Sequence, residues 1–143
     1  MKSRVRASTV LIHNGRILSF FAVDPSSQKE FYFLPGGAIE AEETAPEAAE
    51  RETWEETGFR VRVDAESAID REYFFYWDGE DYDCLTIFYW GRLLSPLQDS
   101  VEDRDYNKGV AWVPLNEIKE KFGYTHEILS AIEELIEKHH RAE

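Results

Sequence analysis

The sequence predicts an α+β layered sandwich, a mixed β-sheet between helices. Three observations carry this. Short apolar or alternating runs are separated by turn dipeptides such as Asn14-Gly15 and Asp78-Gly79. A capped, alanine-rich helical segment lies mid-chain, and an apolar stripe at helical spacing closes the sequence.

Taken in order, residues 4–13 (RVRASTVLIH) and 16–23 (RILSFFAV) read as strands joined by the Asn14-Gly15 hairpin turn. A polar loop over 24–30 precedes FYFL, 31–34, a short strand that Pro35-Gly36-Gly37 stops. Thr44 and Glu47 form a T-x-x-E capping box. Pro46 falls in the first turn, where amides have no intrahelical partner. Ala45, Ala48 and Ala49 favour helix, and Gly58 suits the position just past its end, so the helix spans Ala45 to Thr57. Segments 60–66, 70–77 and 83–93 read as strands, with a turn from Asp78 to Asp83 between the last two. CLTIFYWGRLL is apolar on both faces, as a central strand requires. A polar loop over 95–108 leads to VAWV, 110–113, as a strand. Pro114 to Glu117 opens a short helix, and Thr125 caps the last one, whose stripe is Ile128, Leu129, Ile132, Leu135 and Ile136.

The 143 residues suit one domain, 1–143, large enough for its own core. A single cysteine, Cys84, excludes an intrachain disulfide and fits a reducing compartment. The first residues lack the apolar length and cleavage site of a secretory signal, and no apolar run approaches the ~18 residues of a membrane span. The expectation is a cytoplasmic protein. A formal net charge of −13 argues against duplex nucleic acid and anionic membranes as partners. A phosphate-bearing ligand would need a local basic patch or metal cations.

The stretch from Gly36 to Phe59 concentrates that charge: eight of its 24 residues are glutamate and Arg51 is its one cation. Glu52, Glu55 and Glu56 fall at i, i+3 and i+4, on one helical face. Such triplets are common on solvated helices, so spacing alone is a weak signal. Read chemically, three neighbouring carboxylates call for a cation. An oxygen-only set without His or Cys suits Mg²⁺ or Mn²⁺ rather than zinc. A turn at Gly36-Gly37 would bring a carbonyl close enough to complete the ligands, and the missing side chains would leave room for phosphate. Arg51, eight residues after Glu43, could lock the preceding loop onto the helix.

These residues resemble the Nudix box. Gly37, Glu43, Arg51-Glu52, Glu55-Glu56, Gly58 and Phe59 all stand at the family's spacing, and the one soft departure is Thr53, where an aliphatic residue is commoner. LPGG leading in, WVPL near the end and a terminal helix are also similar to the family. The resemblance implies a Nudix α/β/α sandwich of the MutT-like kind and metal-assisted hydrolysis of a nucleoside diphosphate linked to a further moiety. It matches Glu52, Glu55 and Glu56 to metal ligands, the Gly36 or Gly37 carbonyl to the main-chain ligand, and Arg51 with Glu43 to a structural pair. The general base is expected to be Glu52 or Glu55. The 95–108 loop offers Asp99, Glu102, Asp103 and Asp105, but where the family often has an acid just before the WVPL strand this chain has Asn107-Lys108-Gly109.

Substrate choice lies outside the motif, and the sequence names no substrate-binding residue. Phe75 stands where ADP-ribose-hydrolysing members often have proline, and Tyr76 where diadenosine-polyphosphate members often have tyrosine. The short chain resembles small nucleoside-triphosphate pyrophosphatases best. The alternatives are a diadenosine polyphosphate or nucleotide-sugar hydrolase, a silent nucleotide-binding sensor, which an intact motif disfavours, and an unrelated acidic interaction domain. The clusters Phe74-Phe75-Tyr76-Trp77 and Phe88-Tyr89-Trp90, and the rings of 31–33, are expected in the core or in an interface such as a homodimer's rather than against a base. Arg4, Arg6, Lys29 and Arg71 read as solvated cations, and His139-His140 as a helix end that suits positive charge.

Overall fold

The computed structural model describes residues 1–101 and 105–141. Among them, no helix is long and apolar enough to cross a membrane. The hub is β1 (Lys2–His13), which turns through Asn14 and Gly15, both at positive φ, into antiparallel β2 (Arg16–Val23). β3 (Glu30–Phe33) pairs with the outer edge of β2, and β8 (Asn107–Pro114) with its other edge. β4 (Gly36–Ala38) runs antiparallel to β1 at Ala7↔Gly37. β7 (Glu80–Gln98) runs parallel to β1 from Lys2↔Tyr82 to Leu11↔Gly91 and antiparallel to both β5 (Phe59–Val63) and β6 (Ile69–Trp77). One parallel pair within an otherwise antiparallel set makes the sheet mixed, as expected.

Helices cover both faces. α1 (Ala45–Thr57) lies over Ala7, Val63 and Tyr89; Ala48 and Ala49 are fully buried, and their small side chains let the helix approach closely. α3 (His126–His139) packs against Val10, Tyr73, Cys84 and Phe88 with α2 (Ile118–Phe122) beside it. Successive strand residues point to opposite faces, so Tyr89 under α1 and Phe88 under α3 place the helices on opposite sides. The α+β fold follows directly.

Several boundaries depart from the sequence reading. Gly36-Gly37 is a strand rather than a turn, because β1 offers it a ladder and glycine alone lets the backbones meet: a Cβ at Gly36 would collide with Ser8 Oγ and come within 2.7 Å of Ala7 O. The turn after β6 is only Asp78-Gly79, and β7 begins at Glu80 and runs on to Gln98, through Pro96. β5 stops at Val63, followed by a 3₁₀ turn at Ala65–Ser67 whose cap is Asp64. β8 starts at Asn107, three residues early. Thr125 stands at the N-cap of α3, but its side chain makes no capping hydrogen bond.

Candidate functional site

α1 is positioned from both ends. Thr44 Oγ1 accepts from Glu47 N (3.2 Å) and Glu47 Oε1 from Thr44 N (2.9 Å), the reciprocal capping box. Gly58 closes the helix at φ 77°, its N–H donating to Trp54 O. Thr53, the residue at the motif's apolar position, is fully buried, and its hydroxyl is satisfied by Ala49 O (2.7 Å) and Thr9 Oγ1 (2.8 Å) on β1. A polar side chain therefore serves there because β1 supplies its partner.

Arg51 organises the acidic stretch. Its Nε and Nη2 take Glu43 in a fork (2.7 and 3.0 Å), and Nη2 also donates to Ala38 O (3.0 Å). Nη1 bridges Glu52 Oε1 (2.9 Å) and Glu55 Oε1 (2.8 Å). Hydrogen bonding to Glu43 and then to Glu52 and Glu55 holds the Arg51 pKa well above the ordinary arginine value, against the opposite pull of burial. The same fork holds the Glu43 carboxyl below its usual range. The expected Glu43–Arg51 pair is present, and the guanidinium reaches further than expected, into the carboxylate triplet itself.

The three carboxylates do not share one environment. Glu56 is only 3% exposed and accepts the Gly36 N–H at 2.8 Å. Glu52 lies against Gly37, where a Cβ would stand 2.5 Å from its carboxylate. Both line a cleft of about 530 Å³, whereas Glu55 faces Arg51 outside that lining. As the side chains stand, no three Asp, Glu, His or Cys groups among the described residues converge on one point. The fit to a hard cation rests on donor chemistry: oxygen ligands only, a carboxylate pressed on a glycine backbone, and a positive group already drawn between Glu52 and Glu55.

One wall of the cleft is aromatic. Phe33 meets Trp77 at 5.2 Å and Phe75 at 5.9 Å between centroids, and Tyr106 meets Trp77 edge-on at 5.8 Å. Tyr124 and Phe20 close the wall. Phe33, Phe75 and Trp77, expected in the core or an interface, pack on one another but are only half-buried and line the cavity. Alternation sends Phe74 and Tyr76 to the opposite face, 70% and 55% exposed. Tyr76 therefore does not reach the cleft.

Of the expected solvated cations, Arg71 is paired with Glu134 at 2.7 Å and Lys29 lies over the Phe31 ring. Arg6 is partly buried in the cleft, its Nη2 donating to Gly36 O at 3.1 Å. Burial pulls its pKa down, but Tyr73, Glu56, Cys84 and Glu52 around it raise it overall. His139 and His140 sit against the Trp90 ring. Asp99 takes the Trp54 indole N–H (2.9 Å) and faces Arg60, so it is engaged away from the cleft. Asn107 donates to Glu56 O (3.0 Å) and accepts from Gly109 N, tying β8 to the end of α1. Asp105 is exposed, and Glu102 and Asp103 lie outside the described residues.

Known proteins resemble the chain in sequence and in fold. The NUDIX domain family model matches residues 2–132. The mutator protein MutT4 of Mycobacterium tuberculosis is 38% identical over 109 residues, 73% of this chain and 42% of its own length. The chain thus spans less than half of that relative. Among solved structures, a NUDIX hydrolase from Nitrosomonas europaea superposes with a TM-score of 0.69 at 23% identity, covering 97% of this chain and 89% of its own. A C. elegans Ap4A hydrolase gives 0.69 at 19% identity, covering 94% and 96%. At that identity the structures speak to the fold.

Proposed function

The chain belongs to the NUDIX domain family, and on that premise we propose that it is a divalent-cation-dependent pyrophosphohydrolase of free nucleotides. Its substrate on this reading is a nucleoside diphosphate linked to a further group, a nucleoside triphosphate above all. One observation carries the reading: Glu52 and Glu56 stand with Gly36-Gly37 at one end of a 530 Å³ cleft whose other wall is aromatic. A ring system and a polyphosphate need those two surfaces side by side.

Glu52, Glu55 and Glu56, with a Gly36 or Gly37 carbonyl, would hold Mg²⁺ or Mn²⁺. Bound there, the ion supplies charge neutralisation of the pyrophosphate and acidification of water. The chain supplies the remainder. Arg51 fixes the rotamers of Glu52 and Glu55 through one guanidinium nitrogen, so neither carboxylate must be ordered when substrate arrives. Glu52 or Glu55 takes the proton of the attacking water as it adds to phosphorus and the bridging P–O bond breaks. Phe33, Phe75 and Trp77 hold the base away from water. Polar Thr53 costs nothing here because Thr9 and Ala49 satisfy it.

The test is a nucleotide panel with Mg²⁺, read as phosphate or pyrophosphate release. Wild type is expected to hydrolyse at least one class, and Glu55→Gln to lose about 10²- to 10⁴-fold in rate. Equal inertness of the two proteins across the panel would favour a silent nucleotide-binding domain. Products identified by mass from the same panel separate triphosphates from diadenosine polyphosphates and nucleotide sugars.

A further inference from the structure

Charge is unevenly distributed in the cleft. Among the described lining residues Glu52, Glu56 and Asp78 face two cations, Arg4 and Arg6. Arg4 is exposed, with its guanidinium over the Tyr82 ring at 4.4 Å. Arg6 sits further in, between the carboxylate end and the aromatic wall. Its neighbours are Gly36, Glu52 and Glu56 on one side and Tyr73 and Cys84 on the other.

A purely structural role does not account for it. The β1–β4 ladder already pairs Arg6↔Ala38, Ala7↔Gly37 and Ser8↔Gly36 through the backbone, so the strands need no guanidinium to hold them. Placing a cation in a cleft is costly unless an anion answers it. Here Glu56 and Glu52 answer it. Those are the carboxylates that the proposed reading commits to a divalent ion. Once they are committed, Arg6 stays anchored by Gly36 O and Tyr73, still lines the cavity, and loses the carboxylates that answered its charge. A planar guanidinium matches two phosphate oxygens at once.

We propose that Arg6 is the cleft's phosphate-gripping residue, holding the diphosphate of a bound nucleotide between the Gly36-Gly37 strand and the aromatic wall. This rests on the nucleotide reading above. It assigns a substrate contact outside the 36–59 stretch, on β1.

Calorimetric titration in Mg²⁺ tests it, using the four common nucleosides and their α,β-methylene diphosphates, whose carbon bridge is not hydrolysed. Wild type should bind a diphosphate at least tenfold more tightly than its nucleoside. Arg6→Gln should weaken diphosphate binding by about 10- to 100-fold, the effect of a lost charge-assisted hydrogen bond, and leave nucleoside binding within about twofold. Arg6→Lys should recover part of the loss, because a point charge cannot make the fork. Undiminished diphosphate binding by Arg6→Gln overturns the assignment. So does an equal loss for nucleoside and diphosphate, which marks a structural tie. A wild type that hydrolyses the parent nucleotides but gains nothing from the diphosphate breaks this inference alone; one that neither binds nor hydrolyses any of them breaks the functional reading as well.

Discussion

The two ends of the cleft are put together in opposite ways. The carboxylate end comes from one contiguous stretch, in which a capped helix, a left-handed glycine and one arginine set every position. The aromatic end is gathered from separate segments: Phe33 from β3, Phe75 and Trp77 from β6, Tyr106 before β8 and Tyr124 before α3. Helical periodicity keeps Glu52 and Glu56 together for as long as α1 folds. The wall depends on several strand registers at once, and a change in any one alters the ring it presents. On the proposed reading, chemistry that tolerates no displacement would sit on the rigid end, and the surface that would select a substrate on the end that can vary.

The sharpest way to break this contrast is to disturb the rigid end by one methyl group. In Gly37→Ala the new Cβ would stand 2.5 Å from the Glu52 carboxylate, so that carboxylate must move. Hydrolysis should fall by about 100-fold, the scale of a displacement near 1 Å, while the melting temperature stays within a few degrees. Gly36→Ala is the contrasting variant: its Cβ meets backbone at Ala7 O (2.7 Å), so the strands must part and stability falls along with activity. Full activity in a folded Gly37→Ala would show that Glu52 is not a working carboxylate.

At the other end the effect should be smaller and confined to substrate affinity. Trp77→Ala removes a ring from the wall and should raise KM about tenfold, within the range for loss of one base-stacking side chain, with kcat changed little. Tyr76→Ala, one residue away on the opposite face, should leave both constants unchanged. If the two variants behave alike, the face assignment fails.

The same contrast explains what could be read without coordinates. The helix and its functional spacing were legible because their signals are local: a cap, an i, i+3, i+4 triplet and a glycine at the C-terminus. β4 was not, since two glycines carry no strand signal and their ladder exists only through the register of β1. The tail of β7 read as a loop because 95–108 is polar and charged, yet it pairs with β5, and its Pro96 lies opposite the irregular register between Phe59 and Val61, where a missing N–H is tolerated. Arg6 was read as solvated because a single cation on a surface usually is, and since residues 7–10 are buried on both faces, alternation along the strand does not say otherwise. Its parity with Val10, which packs under α3, was the one available signal. The aromatic wall was beyond reach for the same reason: which ring of each cluster faces inward is decided by pairing across strands.

The smallest effect expected tests how the variable end is steadied. Asp24 is buried in the loop between β2 and β3, where its Oδ1 accepts from Ser26 N (2.9 Å) and Ser26 Oγ (3.1 Å). Both of its oxygens lie 3.2 Å from the N–H of Asp78, in the turn after Trp77. One carboxylate thus fastens together the two turns that flank the wall. Burial pushes the Asp24 pKa up, but the N–H groups of Ser26, Asp78 and Ser27 outweigh it and hold the carboxyl below its usual value. Because the folded pKa is the depressed one, this stabilisation is complete above the unfolded value of about 3.9 and is lost as pH falls through the folded value. Asp24→Asn should cost about 1–2 kcal/mol near neutrality, lowering Tm by roughly 3–8 °C. The gap from wild type should narrow as pH falls below about 4, where Asp24 of the unfolded chain takes up a proton before that of the folded one does. KM should rise only about two- to threefold, since a loosened wall keeps its rings. A Tm gap that widens in acid would mean that the turns are joined by something other than this carboxylate.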